Sequence, residues 1–137
     1  MLSQRAYQQR ATGMTRIDTI LGLYDQALAR TSQAEDALAH HEHVLARTRM
    51  NQAQLAVSGL VCGLEGHADE QSLNLLRLYE FVAHHLSQAT PASAQAATQV
   101  LQTLREAFEA IRPEAVRLER EGTIPSLDRS HSVQVTA

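Results

Sequence analysis

Apolar residues recur every three to four positions along most of the chain, and this spacing predicts amphipathic α-helices. Four such helices are predicted, over residues 15–40, 41–65, 69–89 and from about 92 onward. Thr15 and Asp69 stand where the first and third of these helices begin, and both residue types favour the N-cap position. The pattern shows little of the strict alternation that a β-strand requires.

The fourth predicted helix contains Pro113, which predicts a kink, or a stop followed by a fresh turn that continues to about residue 120. The apolar stripes of the four helices define a predicted core, whose members are Ile17, Leu21, Tyr24, Leu28, Ala34, Leu38, Val44, Met50, Ala53, Val57, Leu60, Val61, Leu64, Leu73, Leu76, Tyr79, Val82, Ala83, Leu86, Ala97, Val100, Leu101, Leu104, Phe108 and Ile111.

Short loops between four helices of this length predict an all-α fold, an elongated antiparallel four-helix bundle. The bundle is expected over residues 15–120. A short N-terminal arm or helix is expected over 1–14, and a mobile, flexible C-terminal tail over 121–137.

Composition and charge narrow the class of protein. The 137 residues carry a net charge of -3, which argues against a nucleic-acid-binding protein. The sequence has no lysine, which excludes a lysine nucleophile. The only cysteine, Cys62, cannot form an intrachain disulfide, which favours a reducing compartment. The polar N-terminus does not resemble a signal peptide, and the sequence has no apolar run long enough for a membrane span. A soluble, cytoplasmic protein is therefore expected.

Histidines are the most conspicuous candidates for chemistry. His40, His41 and His43 lie close together, but Asp36, His40 and His43 share a helix face only if the first helix continues past its predicted end. We interpret them as a solvated helix end and predict no metal site. The sequence has no hydrolytic triad and no glycine-rich phosphate loop, so neither catalysis nor a cofactor is expected. An enzyme or relay that uses the histidines stays open as an alternative.

Two helices carry more apolar residues than one core stripe uses. The surplus is Ile20 and Leu23 in the first helix, and Leu75, Leu78 and Phe81 in the third. A helix that is apolar on two faces either lies at the centre of a core or contacts a partner. Packing against the N-terminal arm, or against a second copy in a homodimer, would also cover these residues, so both interpretations stay open here.

Four ordered stretches resemble the FliS family of flagellin-specific export chaperones. They are "AYQQ" at 6–9, "LGLYDQAL" at 21–28, "LLRLYEFVAHHL" at 75–86 and "VLQTLREAFEAI" at 100–111. Each stretch alone has low specificity. Their order and spacing in a helical chain of this length make the combined resemblance fairly specific.

The resemblance implies a function as well as a fold. FliS proteins are antiparallel helical bundles that bind the C-terminal segment of flagellin, which is disordered before export. They prevent premature flagellin polymerisation in the cytoplasm and deliver the complex to the flagellar export apparatus. The resemblance therefore implies a chaperone with no catalysis and no cofactor. A self-associating helical adaptor without a flagellin client is the alternative hypothesis.

The resemblance and the surplus apolar residues together predict a partner-binding surface. Tyr7 is expected to cover part of a groove when the client is absent, and Asp25 to cap an amide of the arm or bond a tyrosine hydroxyl. The residues predicted to contact the partner are Tyr7, Ile20, Leu23, Leu75, Leu78 and Phe81.

Overall fold

Four α-helices make up the part of the chain that the structure, a computed structural model, describes, residues 14–122. They are α1 (Arg16–Ala39), α2 (His43–Cys62), α3 (Glu70–Gln88) and α4 (Pro91–Arg120). Residues 14–122 contain no strand, and the predicted all-α, four-helix bundle is confirmed. Tyr7 with nearly all of the predicted arm, and the predicted tail from residue 123, lie outside the described residues.

Two compact units divide the chain. The first unit combines the chain up to Leu21 with the chain from Ala107 onward, and the second unit is Gly22–Glu106. Helices α1 and α4 each contribute residues to both units, whereas α2 and α3 belong wholly to the second. Each unit has its own buried residues.

In the first unit, α1 and α4 are joined by a small core and an ion pair. Ile17, Leu21 and Val116 form the buried cluster. The Arg112 guanidinium donates to the Asp18 carboxylate at 2.6 Å from Nε and 3.1 Å from Nη2. The hydrogen bond from Arg112 holds the pKa of Asp18 below its usual range. The pair therefore favours the charged carboxylate in the first turn of α1.

In the second unit, all four helices contribute to a larger core. Polar contacts show that α1 and α4 are antiparallel, because Asp25 pairs with Arg105 and Glu35 accepts a hydrogen bond from Thr98. The Gln54 side chain also donates to a backbone carbonyl of α3 at 3.0 Å. The largest fully buried side chains of the molecule all lie in this unit: Tyr24, Met50, Leu86, Leu101, Val57, Val82 and Thr31.

The turn between α2 and α3 ends at the N-cap that the sequence predicts. The Asp69 carboxylate accepts a hydrogen bond from the Ser72 backbone N–H at 3.1 Å. This bond satisfies one of the amides that the first turn of a helix leaves without a partner. The Ser72 hydroxyl also donates to the carboxylate, at 2.8 Å, and this bond together with the amide bond lowers the pKa of Asp69. Thr15 accepts from the Asp18 amide at the start of α1 in the same way, at 3.3 Å.

The corner between α3 and α4 is specified by local contacts. Ala89 adopts the left-handed conformation with φ 52°, which ends α3. Thr90 and Ser93 then exchange hydrogen bonds, the amide of each donating to the hydroxyl of the other at 2.9 and 3.1 Å. Pro91 occupies the first helical position, where its missing N–H costs nothing.

Helix α4 runs without interruption through Pro113, so the predicted stop at this residue is wrong. A proline removes one backbone hydrogen bond from a helix interior. The turns that follow are supported by Arg117, whose guanidinium bonds the carboxylates of Glu114 and Glu121. These ion pairs are exposed and contribute little, so the burial of Val116 against Ile17 and Leu21 is the main support for the helix on the C-terminal side of the proline.

Three residues predicted to face the core are exposed instead. Val44 is 84% exposed, Leu73 43% and Ile111 53%. Val44 and Leu73 lie in the first turns of α2 and α3, at the helix ends, where neighbouring helices do not cover their side chains. The predicted stripe rotates gradually around a straight helix along its length. At Ile111 it no longer faces the core, and Ala115 and Val116 take the inward positions.

Gly22 lies in the interior of α1, where replacement by alanine should increase the stability of the fold. A Cβ built at Gly22 meets nothing within 4 Å, so alanine fits there without strain. We expect Gly22→Ala to raise the free energy of unfolding by about 1 kcal/mol, because alanine favours the helix over the unfolded chain. Urea denaturation monitored by circular dichroism would measure the change.

The matched control is Gly59→Ala in α2. Its Cβ would lie 3.1 Å from Leu23 Cδ2, so the leucine must move to accommodate it. We expect a clearly smaller gain than at Gly22. Equal gains at the two positions would contradict the close packing of Leu23 against α2.

Candidate partner-binding grooves

An apolar groove opens between α3 and α4 in the second unit. It has a volume of about 230 Å³, and we call it the α3/α4 groove. The Thr103 hydroxyl donates to the backbone carbonyl of Gln99, so it is satisfied within its own helix. The groove thus presents few polar groups that need a partner. Its lining residues are Leu78, Gln99, Val100, Thr103 and Leu104.

Three residues of α3 were predicted to contact a partner, and they line the α3/α4 groove or lie beside it: Leu75, Leu78 and Phe81. Tyr79 is buried, whereas Leu78 and Phe81 are 38% and 43% exposed, and Leu75 is half-buried. The Phe81 ring packs on the His85 ring one turn later, with ring centroids 4.2 Å apart. Large apolar side chains are therefore accessible next to the α3/α4 groove, as the surplus over the core stripe predicts.

A second groove lies between α1 and α2, and we call it the α1/α2 groove. Its volume is about 250 Å³. Leu55 is 72% exposed, and Leu23 is half-buried against Gly59. The lining residues are Leu23, Gln26, Arg30, Gln52, Leu55 and Ala56.

The structure does not bring the predicted partner-binding residues into one groove. Leu23 lines the α1/α2 groove and Leu78 lines the α3/α4 groove. Ile20 is half-buried and belongs to the first unit, and Tyr7 lies outside the described residues. Sequence reasoning did not identify Leu55 as a groove residue, because its exposure depends on how α2 turns toward α1.

Asp25 makes an ion pair that the sequence did not reveal. Its carboxylate lies 2.6 Å from Nε of Arg105, and the two side chains are 58% and 32% exposed. Eighty residues separate the partners along the chain, so no local pattern connects them. A pair this exposed is expected to contribute little to stability, because water and salt screen the charges. The position of the pair nonetheless shows which face of α4 meets α1.

A buried hydroxyl pair joins α1 to α3. The hydroxyls of Tyr24 and Tyr79 are 2.6 Å apart, and the two rings lie with their centroids 6.3 Å from each other. Burial raises the pKa of both phenols above the usual value. Both tyrosines belong to stretches quoted for the family resemblance, and both were predicted to face the core. Their hydrogen bond was not predicted, because the residues are 55 positions apart.

The two raised pKa values predict how stability depends on alkaline pH. The folded state keeps both phenolic protons at a pH where the unfolded chain, with tyrosine pKa near 10, loses them. Ionisation of these two tyrosines therefore leaves the free energy of unfolding unchanged below about pH 10 and lowers it as the pH rises further. Urea denaturation at several values between pH 8 and about pH 11.5 would measure it.

A double variant, Tyr24→Phe with Tyr79→Phe, is the control for this prediction. It removes both ionisable groups, so its stability should fall less steeply above about pH 10. The chain has no lysine, which leaves few other groups that titrate in this range. An identical slope in the double variant would show that these tyrosines do not cause the loss.

The histidine cluster lies in the turn between α1 and α2. Helix α1 ends at Ala39, so the end predicted near residue 40 is confirmed, and His41 has a left-handed φ of 58°. Within residues 14–122, no three His, Cys, Asp or Glu side chains are grouped as a metal site requires. In this part of the chain, no helix combines the length and the apolarity that crossing a membrane demands.

Comparison with known proteins gives one family. The family model for flagellar protein FliS matches residues 2–115, which is most of the chain. The match covers all of α1, α2 and α3 and most of α4, including both tyrosines of the buried pair and the residues of both grooves. None of the curated proteins gives a significant match.

Proposed function

The chain belongs to the FliS family of flagellar export chaperones, and on this premise we propose that it binds the C-terminal segment of flagellin in the cytoplasm. In this proposal it prevents premature polymerisation of flagellin and assists delivery to the flagellar export apparatus. The role needs neither catalysis nor a cofactor, since a chaperone of this kind acts through binding alone.

The α3/α4 groove is the observation that carries the proposal. An amphipathic helix can bind in a hydrophobic groove by inserting apolar side chains one turn apart. The groove offers aliphatic side chains from both of its walls, Leu78 from α3 and Val100 and Leu104 from α4. We propose that Leu78, Leu75 and Phe81 contact the flagellin segment along α3. Tyr7, Ile20 and Leu23 stay predictions from the sequence and are not part of this groove, because Leu23 lines the α1/α2 groove, Ile20 belongs to the first unit and Tyr7 lies outside the described residues.

Calorimetric titration tests this proposal. The full chain would be titrated with the C-terminal segment of flagellin from the same organism, at several temperatures. We expect saturable binding near one-to-one with a negative heat-capacity change, because apolar surface leaves water on binding. Light scattering of the mixture would confirm the stoichiometry.

Absence of binding at several hundred micromolar segment would contradict the proposal, because a client chaperone should bind well below that range. If the free chain were then found as a dimer by light scattering, self-association through the same apolar surface would replace it. That result would favour the adaptor hypothesis.

A further inference from the structure

The α1/α2 groove combines an apolar floor with uncompensated positive charge. Leu23 and Ala56 provide the floor, and Leu55 stands largely exposed at the groove. Arg30 lines the groove, and its guanidinium donates to the Gln33 amide oxygen at 3.1 Å. A glutamine is a neutral acceptor, so this hydrogen bond leaves the positive charge of Arg30 unbalanced.

A second arginine repeats this arrangement on α2. Arg49 donates to the amide oxygen of Gln52, a residue of the groove lining, at 2.9 Å. Helix α2 carries Arg47 and Arg49 and contains no acidic residue. The arginines of α4 differ, since Arg105 and Arg112 pair with carboxylates of α1. The charges of Arg105 and Arg112 are thus balanced, whereas no carboxylate of the described residues pairs with Arg30 at the α1/α2 groove.

The charge is confined to one part of the seam between α1 and α2. A second cavity of about 310 Å³ lies nearer the turn, and its lining combines Arg49 with the carboxylates of Asp36 and Glu42. An acidic ligand would be repelled by these carboxylates and attracted toward Arg30, which lines the α1/α2 groove. The seam therefore favours a ligand whose acidic groups lie beside Arg30 and whose apolar groups reach Leu23 and Leu55.

We propose that the α1/α2 groove is a docking site for an acidic amphipathic helix of a second protein. The apolar stripe of that helix covers Leu55 and contacts Leu23, and its Asp or Glu side chains, one or two turns away, pair with Arg30. Arginine forks suit carboxylates, and such pairs are stronger where apolar contacts exclude water. The proposal does not depend on flagellin being the client, because it concerns a different groove.

Two matched synthetic peptides test the proposal against the full chain. Each has about 18 residues, with leucines repeating at the spacing of one helix face. One peptide carries glutamates beside the leucines, and the other carries lysines at the same positions. Fluorescence anisotropy would give the Kd of each. We expect the acidic peptide to bind at least about tenfold more tightly than the basic one.

Variants of the full chain show which of the two grooves binds the acidic peptide. Leu55→Asp and Arg30→Glu should each weaken the acidic peptide about tenfold, and Arg30→Glu combined with Arg49→Glu should make the basic peptide the tighter ligand. Leu78→Asp, in the other groove, should leave the affinity unchanged. Circular dichroism of each variant would confirm that the helices remain folded, which is expected because Leu55 is 72% exposed.

Three results would overturn the proposal. The first is equal affinity for the two peptides. The second is loss of binding to the acidic peptide in the Leu78→Asp variant but not in the Leu55→Asp variant. The third is competition by the flagellin segment together with weaker flagellin binding in Leu55→Asp, which would assign the α1/α2 groove to flagellin. Failure of flagellin to bind at all would instead leave the peptide result standing, so the two proposals fail separately.

Discussion

Leu78→Asp is expected to weaken binding of the flagellin segment by at least about a hundredfold in Kd, while the helices remain folded. Leu78 lines the apolar α3/α4 groove and is 38% exposed in the free chain, so an aspartate there stays hydrated until a partner covers it. On binding, the carboxylate would have to leave water for a surface formed by Val100 and Leu104, and no cation lines the groove to compensate it. Calorimetric titration of the variant with the same segment measures the loss.

Two variants control for the added negative charge. Val44→Asp introduces the same residue at an apolar position that is 84% exposed and lies outside both grooves, so binding should be unaffected. Leu55→Asp places it beside the α1/α2 groove and asks whether that groove contributes to flagellin binding. Unchanged affinity in Leu78→Asp would exclude the α3/α4 groove as the flagellin site. A collapsed circular dichroism signal would instead place Leu78 among the residues that the fold requires.

Leu101→Ala is expected to lower the free energy of unfolding by about 3 kcal/mol, within a range of about 2–5 kcal/mol. Leu101 is completely buried in the second unit, so the truncation removes apolar contacts and leaves a cavity that rigid helices fill only in part. For a chain of this length, the loss corresponds to a melting temperature roughly 10 °C lower. Thermal and urea denaturation would both report it.

Leu55→Ala is the matched control for this core substitution. It makes the same chemical change at a leucine that is 72% exposed, and it should alter the free energy of unfolding by less than about 0.5 kcal/mol. Similar losses at both positions would mean that the burial of the leucine does not determine the cost of its truncation, because alanine is the better helix former at either position. A negligible effect at Leu101 would contradict the packing of α4 in the second unit.

Local features of the fold were predictable from sequence because they depend on neighbours along the chain. The Asp69 cap needs only an aspartate ahead of a helical stripe, and its carboxylate bonds an amide three residues later. Helix ends were placed within a few residues for the same reason. Only the alternative of a stop at Pro113 is wrong, because the burial of Val116 in the turn beyond it outweighs the local preference of proline for ending a helix.

Features that join distant segments were not predictable in this way. The Tyr24–Tyr79 hydrogen bond and the Asp25–Arg105 ion pair depend on how the helices rotate against each other, which a single-helix stripe does not define. The same limitation explains the candidate site. The surplus apolar residues on α3 are exposed or half-buried, but the division of the predicted residues between grooves follows from which helices are neighbours. Leu55 was missed because its exposure depends on how α2 turns toward α1, which the stripe of α2 alone does not define.

The corner between α3 and α4 has a consequence for the order in which the chain folds. Only residues 89 and 90 separate the two helices, and the turn is held by hydrogen bonds between Thr90 and Ser93. Closing so short a loop costs little chain entropy and takes well under a microsecond, so the pair formed by α3 and α4 can assemble before α1 finds its distant partners. The walls of the α3/α4 groove would then be among the earliest tertiary contacts of a newly synthesised chain.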